Sequence, residues 1–155
     1  MKDYMFDQIS EWTKESKSML PKSSEEIKAF INNGKAVVVV DGDGNPEGFG
    51  AQTFDWSDGW KELGAVVVDP KKREKGIGHK VVSSLIQKAK SNGDEKLFAL
   101  CNDKSIKIFL DNGAEVIEDP NELPADVWSE CANCPNLIKA KKQGKICCDT
   151  PVKIK

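Results

Sequence analysis

The chain is 155 residues long, 39% apolar and 31% charged, with a formal net charge of −2. That length suits one domain with a real hydrophobic core. The balanced charge argues against a dedicated nucleic-acid binder, which carries a basic face, and the longest aliphatic run, Ala36–Val40, is too short to cross a bilayer. The opening residues, MKDYMFDQISEWTKES, are charged throughout and lack the apolar segment of a signal peptide, so the expectation is a cytoplasmic protein with reduced thiols.

Met5, Phe6, Ile9 and Trp12 recur at helical spacing and predict a helix over 4–18. Ser23 with Glu26 fits a capping box and Gly34 a C-terminal stop, which predicts a helix over 24–33. KAVVVVD reads as a buried strand, GDGNPEG as a turn, and FGAQTF as the strand returning from it. DWSDG turns again, and WKELGAVVVD is a long third strand. From Gly76 onward Ile77, Val81, Val82, Leu85, Ile86 and Ala89 share one helical face, and Asn92-Gly93 ends that helix. EKLFALC is the next strand. Asn102 caps a short helix carrying Ile106, Phe109 and Leu110, which Gly113 ends, and AEVIE is a last strand. The order is α-α-β-β-β-α-β-α-β, then a tail from about residue 119. The fold class is α/β with a mixed sheet, in one domain over 1–155, since no repeat and no long linker divides it.

The stretch DPKKREKGIGHKV, residues 69 to 81, places five cations, two glycines and the only histidine between a strand and a helix, and Arg73 is the only arginine of the chain. Glycines at a helix start let backbone N–H groups approach an anion, and the helix dipole adds about half a positive charge there. Lys71, Lys72, Arg73 and Lys75 add side-chain charge, so a phosphate or pyrophosphate site stands beside the alternative of a solvated basic loop. No Walker loop is present. The dinucleotide fingerprint fails as well, because Val81 occupies the place of its third glycine.

VVVDPKKREKGIGHKVVSSLI resembles the acetyl-CoA-binding motif of the GCN5-related N-acetyltransferase (GNAT) family, V-x-P-x-x-[RQ]-x-x-G-x-[GA], with Val68, Pro70, Arg73, Gly76 and Gly78 in register. NDKSIKIFLDNGAEVI is similar to the family's N-x-x-A-x-x-[LF]-Y-x-x-x-G-F, with Asn102, Ile108 and Gly113 matching and Ser105 in the small-residue slot. The resemblance covers about 25–118. It implies a central, mostly antiparallel sheet with flanking helices, and direct acetyl transfer from acetyl-CoA to a primary amine of a small molecule. It further implies that Arg73, Glu74, Lys75, Gly76, Ile77, Gly78 and His79 surround the coenzyme pyrophosphate. Backbone groups of the strand 63–68, at Val66, Val67 and Val68, meet the pantetheine arm, and Asn102 and Phe109 complete the coenzyme contacts. Partners would be a small-molecule amine, with neither nucleic acid nor membrane, in a monomer or homodimer.

The sequence departs from the family where a tyrosine usually protonates the departing thiolate, because Phe109 stands there. Either the thiolate leaves unprotonated, or water, Ser105 or Cys101 supplies the proton. Glu62 matches a position where relatives place a carboxylate that orders a water, and the alternative is an exposed strand glutamate. An α-amine with a pKa near 8 costs only about 1.4 kcal/mol to deprotonate at pH 7, against about 4.6 for a lysine amine. A weak, water-mediated base therefore suffices for the first. The missing acid keeps a second reading open, a degenerate domain that binds acyl-CoA without turnover.

Asp41, Asp43 and Asn45 alternate as in a calcium loop. Pro46 stands where that loop needs glycine and Gln52 where it needs glutamate, so the reading is a hairpin turn. Trp56 and Trp60 flank a turn and line either the acceptor side or the core. The tail holds Cys131, Cys134, Cys147 and Cys148, whose spacing leaves zinc binding, a disulfide or redox role and plain thiols open, with no metal assigned. Its LP…VW…C..CP, with KLFALC and Phe109, resembles short N-acetylglutamate-synthase-like members of the family. That implies an amino-acid-like acceptor. Glutamate itself is less well served, since dicarboxylates favour arginine forks and the one arginine is committed to the phosphates. The expectation is a tail that packs on the body, anchored by Trp128.

Overall fold

The computed structural model describes residues 2–16, 19–73, 76–129 and 150–154. Its elements are α1 (Asp3–Glu15), α2 (Ser24–Asn32), β1 (Ala36–Val40), β2 (Pro46–Asp55), β3 (Trp60–Val68), α3 (Ile77–Ser91), β4 (Lys96–Cys101), α4 (Ile106–Asp111), β5 (Glu115–Val116), α5 (Ala125–Ser129) and β6 (Thr150–Ile154). Six strands form one sheet in the order β1-β2-β3-β4-β6-β5. The pairs β1/β2, β4/β6 and β5/β6 are antiparallel and β3/β4 is parallel. This is the mixed α/β fold expected from the sequence. By packing, the chain divides into two compact units, Met1–Thr53 with Leu63–Gly93, and Phe54–Glu62 with Asp94–Lys155.

In the first unit the helical stripe of α1 does what its spacing requires. Met5, Phe6, Ile9 and Trp12 are all buried, and Phe6, Ile9 and Trp12 pack with Ile27, Ala36, Phe49, Ala51 and Val67. Ser10 and Thr13 are buried on the same helix because they staple the connection to α2. The Ser10 hydroxyl donates to the Lys22 carbonyl at 2.6 Å, and the Lys22 N–H donates to Thr13 Oγ1 at 2.9 Å. The capping box at Ser23 forms in both directions, with Glu26 N–H on Ser23 Oγ at 3.1 Å and Ser23 N–H on Glu26 Oε1 at 3.2 Å. Helix α3 lies very close to β2. A Cβ at Gly48 would stand 2.6 Å from Val81 Cγ2, and one at Gly50 would stand 2.8 Å from Val81 Cγ1. Those two glycines set how near the helix can come.

The second unit is built on β4, whose Leu97, Phe98 and Ala99 are all buried. Phe98 packs with Ile117, Leu123 and Val127, and Trp56, Trp60, Leu100 and Trp128 close over them. Burying a side chain the size of Phe98 contributes about 1.5–3 kcal/mol. Trp128 is fixed by its indole N–H, which donates to the Pro120 carbonyl at 2.7 Å. The turn before β3 is tied to α5 by Asp126, which accepts from the Ser57 hydroxyl at 2.6 Å and the Ser57 N–H at 3.2 Å.

One element is absent from the sequence reading. AEVIE was expected to be the last strand, yet β6 follows it in sequence and lies between β4 and β5. Leu97 pairs with Ile154 and Cys101 with Thr150 on one side of it, and Glu115 pairs with Lys153 on the other. Cys131, Cys134, Cys147 and Cys148, with the alternatives drawn for them, lie outside the described residues.

Candidate functional site

In the first unit β3 runs through half-buried Val66, buried Val67 and half-buried Val68 into Asp69. Two residues before Val67, Ala65 has φ 51, a left-handed backbone within a strand. A residue with a Cβ adopts that conformation at a cost of about 1–2 kcal/mol, so the kink in β3 is held by its surroundings. The register of β3 with β4, within the second unit, runs from Trp60↔Lys96 to Glu62↔Phe98.

Asp69 is 8% exposed, and its carboxylate accepts the Lys71 N–H at 3.0 Å, capping a short turn that Pro70 begins. Arg73 follows at the surface. Gly76 then opens α3 with φ 75, while a Cβ there would meet nothing. Glycine is therefore needed for its backbone and not for space. Gly76 is the N-cap of this 15-residue helix and has no side chain to cap it, and the positive end of the helix dipole lies at this end. Ile77 and Gly78 are buried behind that turn and His79 is exposed. Glu74 and Lys75 lie outside the described residues.

One of the loop's cations is committed elsewhere. Lys72 Nζ donates to Asp41 Oδ2 at 2.9 Å and to Glu47 Oε1 at 3.3 Å. The other oxygen of Asp41 accepts the N–H groups of Asp43 and Asn45, both at 2.9 Å, which closes the β1–β2 turn. The Lys72 hydrogen bond and these amides hold the Asp41 carboxyl at about 2, and the Asp41 bond raises the Lys72 ammonium above its ordinary value. The alternating Asp41, Asp43 and Asn45 are thus a hairpin turn. Nothing in the spacing of the sequence signalled the pairing with Lys72, because the partners are 31 and 25 residues away.

In the second unit Glu62 is half-buried on β3, and its Oε1 accepts the Trp56 indole N–H at 3.0 Å. Trp56 stacks at a tilt on Phe54, which is 53% exposed, with ring centres 5.4 Å apart. Trp60 meets the edge of Phe98 at 5.9 Å. The sequence leaves Trp56 and Trp60 to line either the core or the acceptor side. Both pack on the core, and Trp56 also presents its donor to Glu62. Asn102 Oδ1 accepts the N–H groups of Lys104 and Ser105 at 2.9 Å each and closes the turn ahead of α4, whose N-cap is Ser105 where the sequence reading has Asn102. Phe109 is 2% exposed and Cys101 is 1% exposed, while the Ser105 hydroxyl accepts the Asn102 N–H at 3.2 Å. Among the described residues no three His, Cys, Asp or Glu side chains gather as a metal site, and no helix is long and apolar enough to cross a membrane.

The profile of the acetyltransferase (GNAT) family matches residues 3–114. The chain belongs to the GNAT family of acetyltransferases. None of the curated protein sequences matches it. Among solved structures it is similar to Rv2747 from Mycobacterium tuberculosis in complex with CoA and NLQ, at 23% identity and a TM-score of 0.70, over 99% of this chain and 95% of that one. It is also similar to N-acetylglutamate synthase from Neisseria gonorrhoeae with coenzyme A and N-acetyl-glutamate, at 19% identity and a TM-score of 0.70, over 96% of this chain and 32% of that one. A phosphinothricin acetyltransferase from Sinorhizobium meliloti in complex with AcCoA aligns at 20% identity and a TM-score of 0.62, over 76% of this chain and 73% of that one. These likenesses are likenesses of GNAT fold, and they include the N-acetylglutamate-synthase type that the tail motif resembles.

Proposed function

We propose that this GNAT chain moves the acetyl group of acetyl-CoA directly to a primary amine of a small molecule, with amino-acid-like compounds as the first candidates. The observation that carries the reading is the loop ahead of α3, where a left-handed Gly76 opens a 15-residue helix shortly after the chain's one arginine. Arg73 and the first-turn amides, with Glu74, Lys75 and His79 around them, would hold the pyrophosphate. The planar guanidinium suits phosphate oxygens better than an ammonium does. Backbone groups of Val66, Val67 and Val68 would meet the pantetheine arm, and Asn102 and Phe109 would contribute from the second motif. That Rv2747 is described with CoA and the Sinorhizobium enzyme with AcCoA supports the cosubstrate.

In the reaction the amine lone pair attacks the thioester carbonyl carbon. The C–N bond forms, the C–S bond breaks, and sulfur leaves as the coenzyme A thiolate. The proton lost by nitrogen passes through water to Glu62, which Trp56 orients. With phenylalanine at 109 no phenol serves the sulfur. The thiolate leaves and takes its proton from solvent. A cytoplasmic setting and a monomer or homodimer belong to the same reading.

The test is acetyl-CoA consumption with thiol release across a panel of amino acids, their amides and simple amines. Turnover that depends on the added amine supports the proposal. Tight coenzyme A binding with no turnover across the panel favours the degenerate acyl-CoA-binding domain, for which the buried Phe109 is the motivating observation. Absence of binding overturns both.

A further inference from the structure

The ion pair beneath the loop has a consequence for coenzyme binding. A site for a polyanion should avoid carboxylates, yet Asp41, Glu47 and Asp69 all lie in or against the segment that leads to Arg73. Each carboxylate is engaged. Asp69 accepts Lys71 N–H at 3.0 Å, and its own N–H donates to the Glu47 carbonyl at 2.8 Å. Asp41 and Glu47 share the Lys72 ammonium at 2.9 and 3.3 Å. The three side chains are 29%, 20% and 18% exposed for Lys72, Asp41 and Glu47, so the network is screened less than an ordinary surface pair. Lys72 also donates its backbone N–H to the Asp69 carbonyl at 2.8 Å, so it is fixed at both ends. The β1–β2 turn is anchored in its own right by Asn45, whose Oδ1 accepts the Tyr4 hydroxyl at 2.9 Å.

We propose that Lys72 is a positioning residue for the coenzyme: by clamping Asp41 and Glu47 it offsets one of their two negative charges, ties both carboxylates down and fixes the segment that presents Arg73. Lys72 is then no phosphate ligand, although it belongs to the basic run. The inference rests on the pyrophosphate reading of the loop, and the experiment separates the two.

Calorimetric titration with coenzyme A is carried out on the wild type, Arg73→Ala, Lys72→Met, Lys72→Arg, Asp41→Asn and the Lys72→Met/Asp41→Asn double variant, each with a parallel thermal melt. Arg73→Ala tests the underlying reading, and an unchanged affinity there would remove the site altogether. Given a loss with Arg73→Ala, the positioning role predicts that Lys72→Met and Asp41→Asn each weaken binding, by about three- to tenfold. It also predicts that Lys72→Arg keeps most of the affinity and that the double variant is no worse than the poorer single one. The sign for Asp41→Asn decides the matter. Deleting a negative charge near a phosphate site strengthens anion binding by simple Coulomb attraction, and it would release Lys72 to contact the phosphates if that were its role. Unchanged or tighter binding by Asp41→Asn overturns the proposal. So does a Lys72→Met variant that melts lower but binds coenzyme A as the wild type does, because that marks a purely structural ion pair.

Discussion

Replacing Gly48 with alanine tests how closely α3 must lie on β2. Gly48 has an ordinary φ, so alanine there is a question of space alone. The new methyl would stand 2.6 Å from Val81 Cγ2 and 3.0 Å from Ile77 Cγ2. Reaching an ordinary carbon–carbon separation needs a shift of about 1 Å. Neither partner can rotate aside easily, because both are β-branched residues of a helix with one strongly preferred χ1, and they are 0% and 4% exposed. The helix itself must therefore move. Overpacking of this kind costs about 1–3 kcal/mol, and at about 2–4 °C per kcal/mol for a chain of this size the melting temperature falls by about 2–12 °C. Ile77 is the first residue of α3, so the shift also displaces the amides that face the proposed pyrophosphate, and coenzyme A affinity falls with stability. Differential scanning calorimetry and titration with coenzyme A read the two effects. Gly64→Ala is the control, since its nearest neighbour is Thr53 Oγ1 at 3.5 Å, and it should stay within about 0.5 kcal/mol. Adding Val81→Ala to Gly48→Ala should leave the protein no less stable than Val81→Ala alone. A Gly48→Ala variant that melts with the wild type would refute the argument from close approach.

Glu62→Gln should lower turnover by roughly 10²-fold with coenzyme A affinity unchanged; Trp56→Phe should lower it about three- to tenfold by releasing the carboxylate, and steady-state kinetics with the identified acceptor read both. Asp41 is held at about 2 against an ordinary 3.8, so its bond to Lys72 stabilises the fold above about pH 4 and the contribution is lost as pH falls through about 2. The melting-temperature gap between wild type and Asp41→Asn should accordingly be full at pH 7 and vanish towards pH 2; a constant gap would count against the ion pair. Deleting Thr150–Ile154 removes the strand that pairs with both β4 and β5, and amide exchange should show β4 and β5 losing protection while α1 and α2 keep theirs.

Much of the fold was legible because local rules and global packing agree. The stripe of α3 from Ile77 to Ala89, the capping box of α2 and the nearly continuous apolar run of β4 each specify one outcome. β6 was not legible, and its residues show why. Thr-Pro-Val-Lys-Ile places a proline inside the strand, which argues against a central position. The sheet tolerates it because Pro151 still uses its carbonyl, which accepts the Ile117 N–H at 2.9 Å, and Val152 at 0% and Ile154 at 6% exposure bury the strand. The closeness of α3 to β2 was equally hidden. Gly48 and Gly50 look like ordinary glycines of a strand until the Val81 methyls are placed over them.

The proposed phosphate loop and the proposed acceptor residues differ in how they are written into the chain. Phosphate recognition by a loop relies on backbone amides. Backbone amides need glycine at a left-handed position, a proline-led turn and a helix start, all within about ten residues of one another. Such requirements leave a contiguous signature, and the run from Val68 through Gly78 carries it. Recognition of an acceptor amine instead needs side chains brought together from separate segments. Trp56 reaches Glu62 across a turn, and Asp126 fixes that turn from 69 residues away. No spacing rule connects Ser57 with Asp126. Residues around Trp56 and Glu62 can therefore vary while the sheet persists, as long as the cluster of Phe98, Ile117, Leu123 and Val127 on which Trp56 packs stays filled. That is why the family can be read from the coenzyme loop, and why the acceptor must be found by assay.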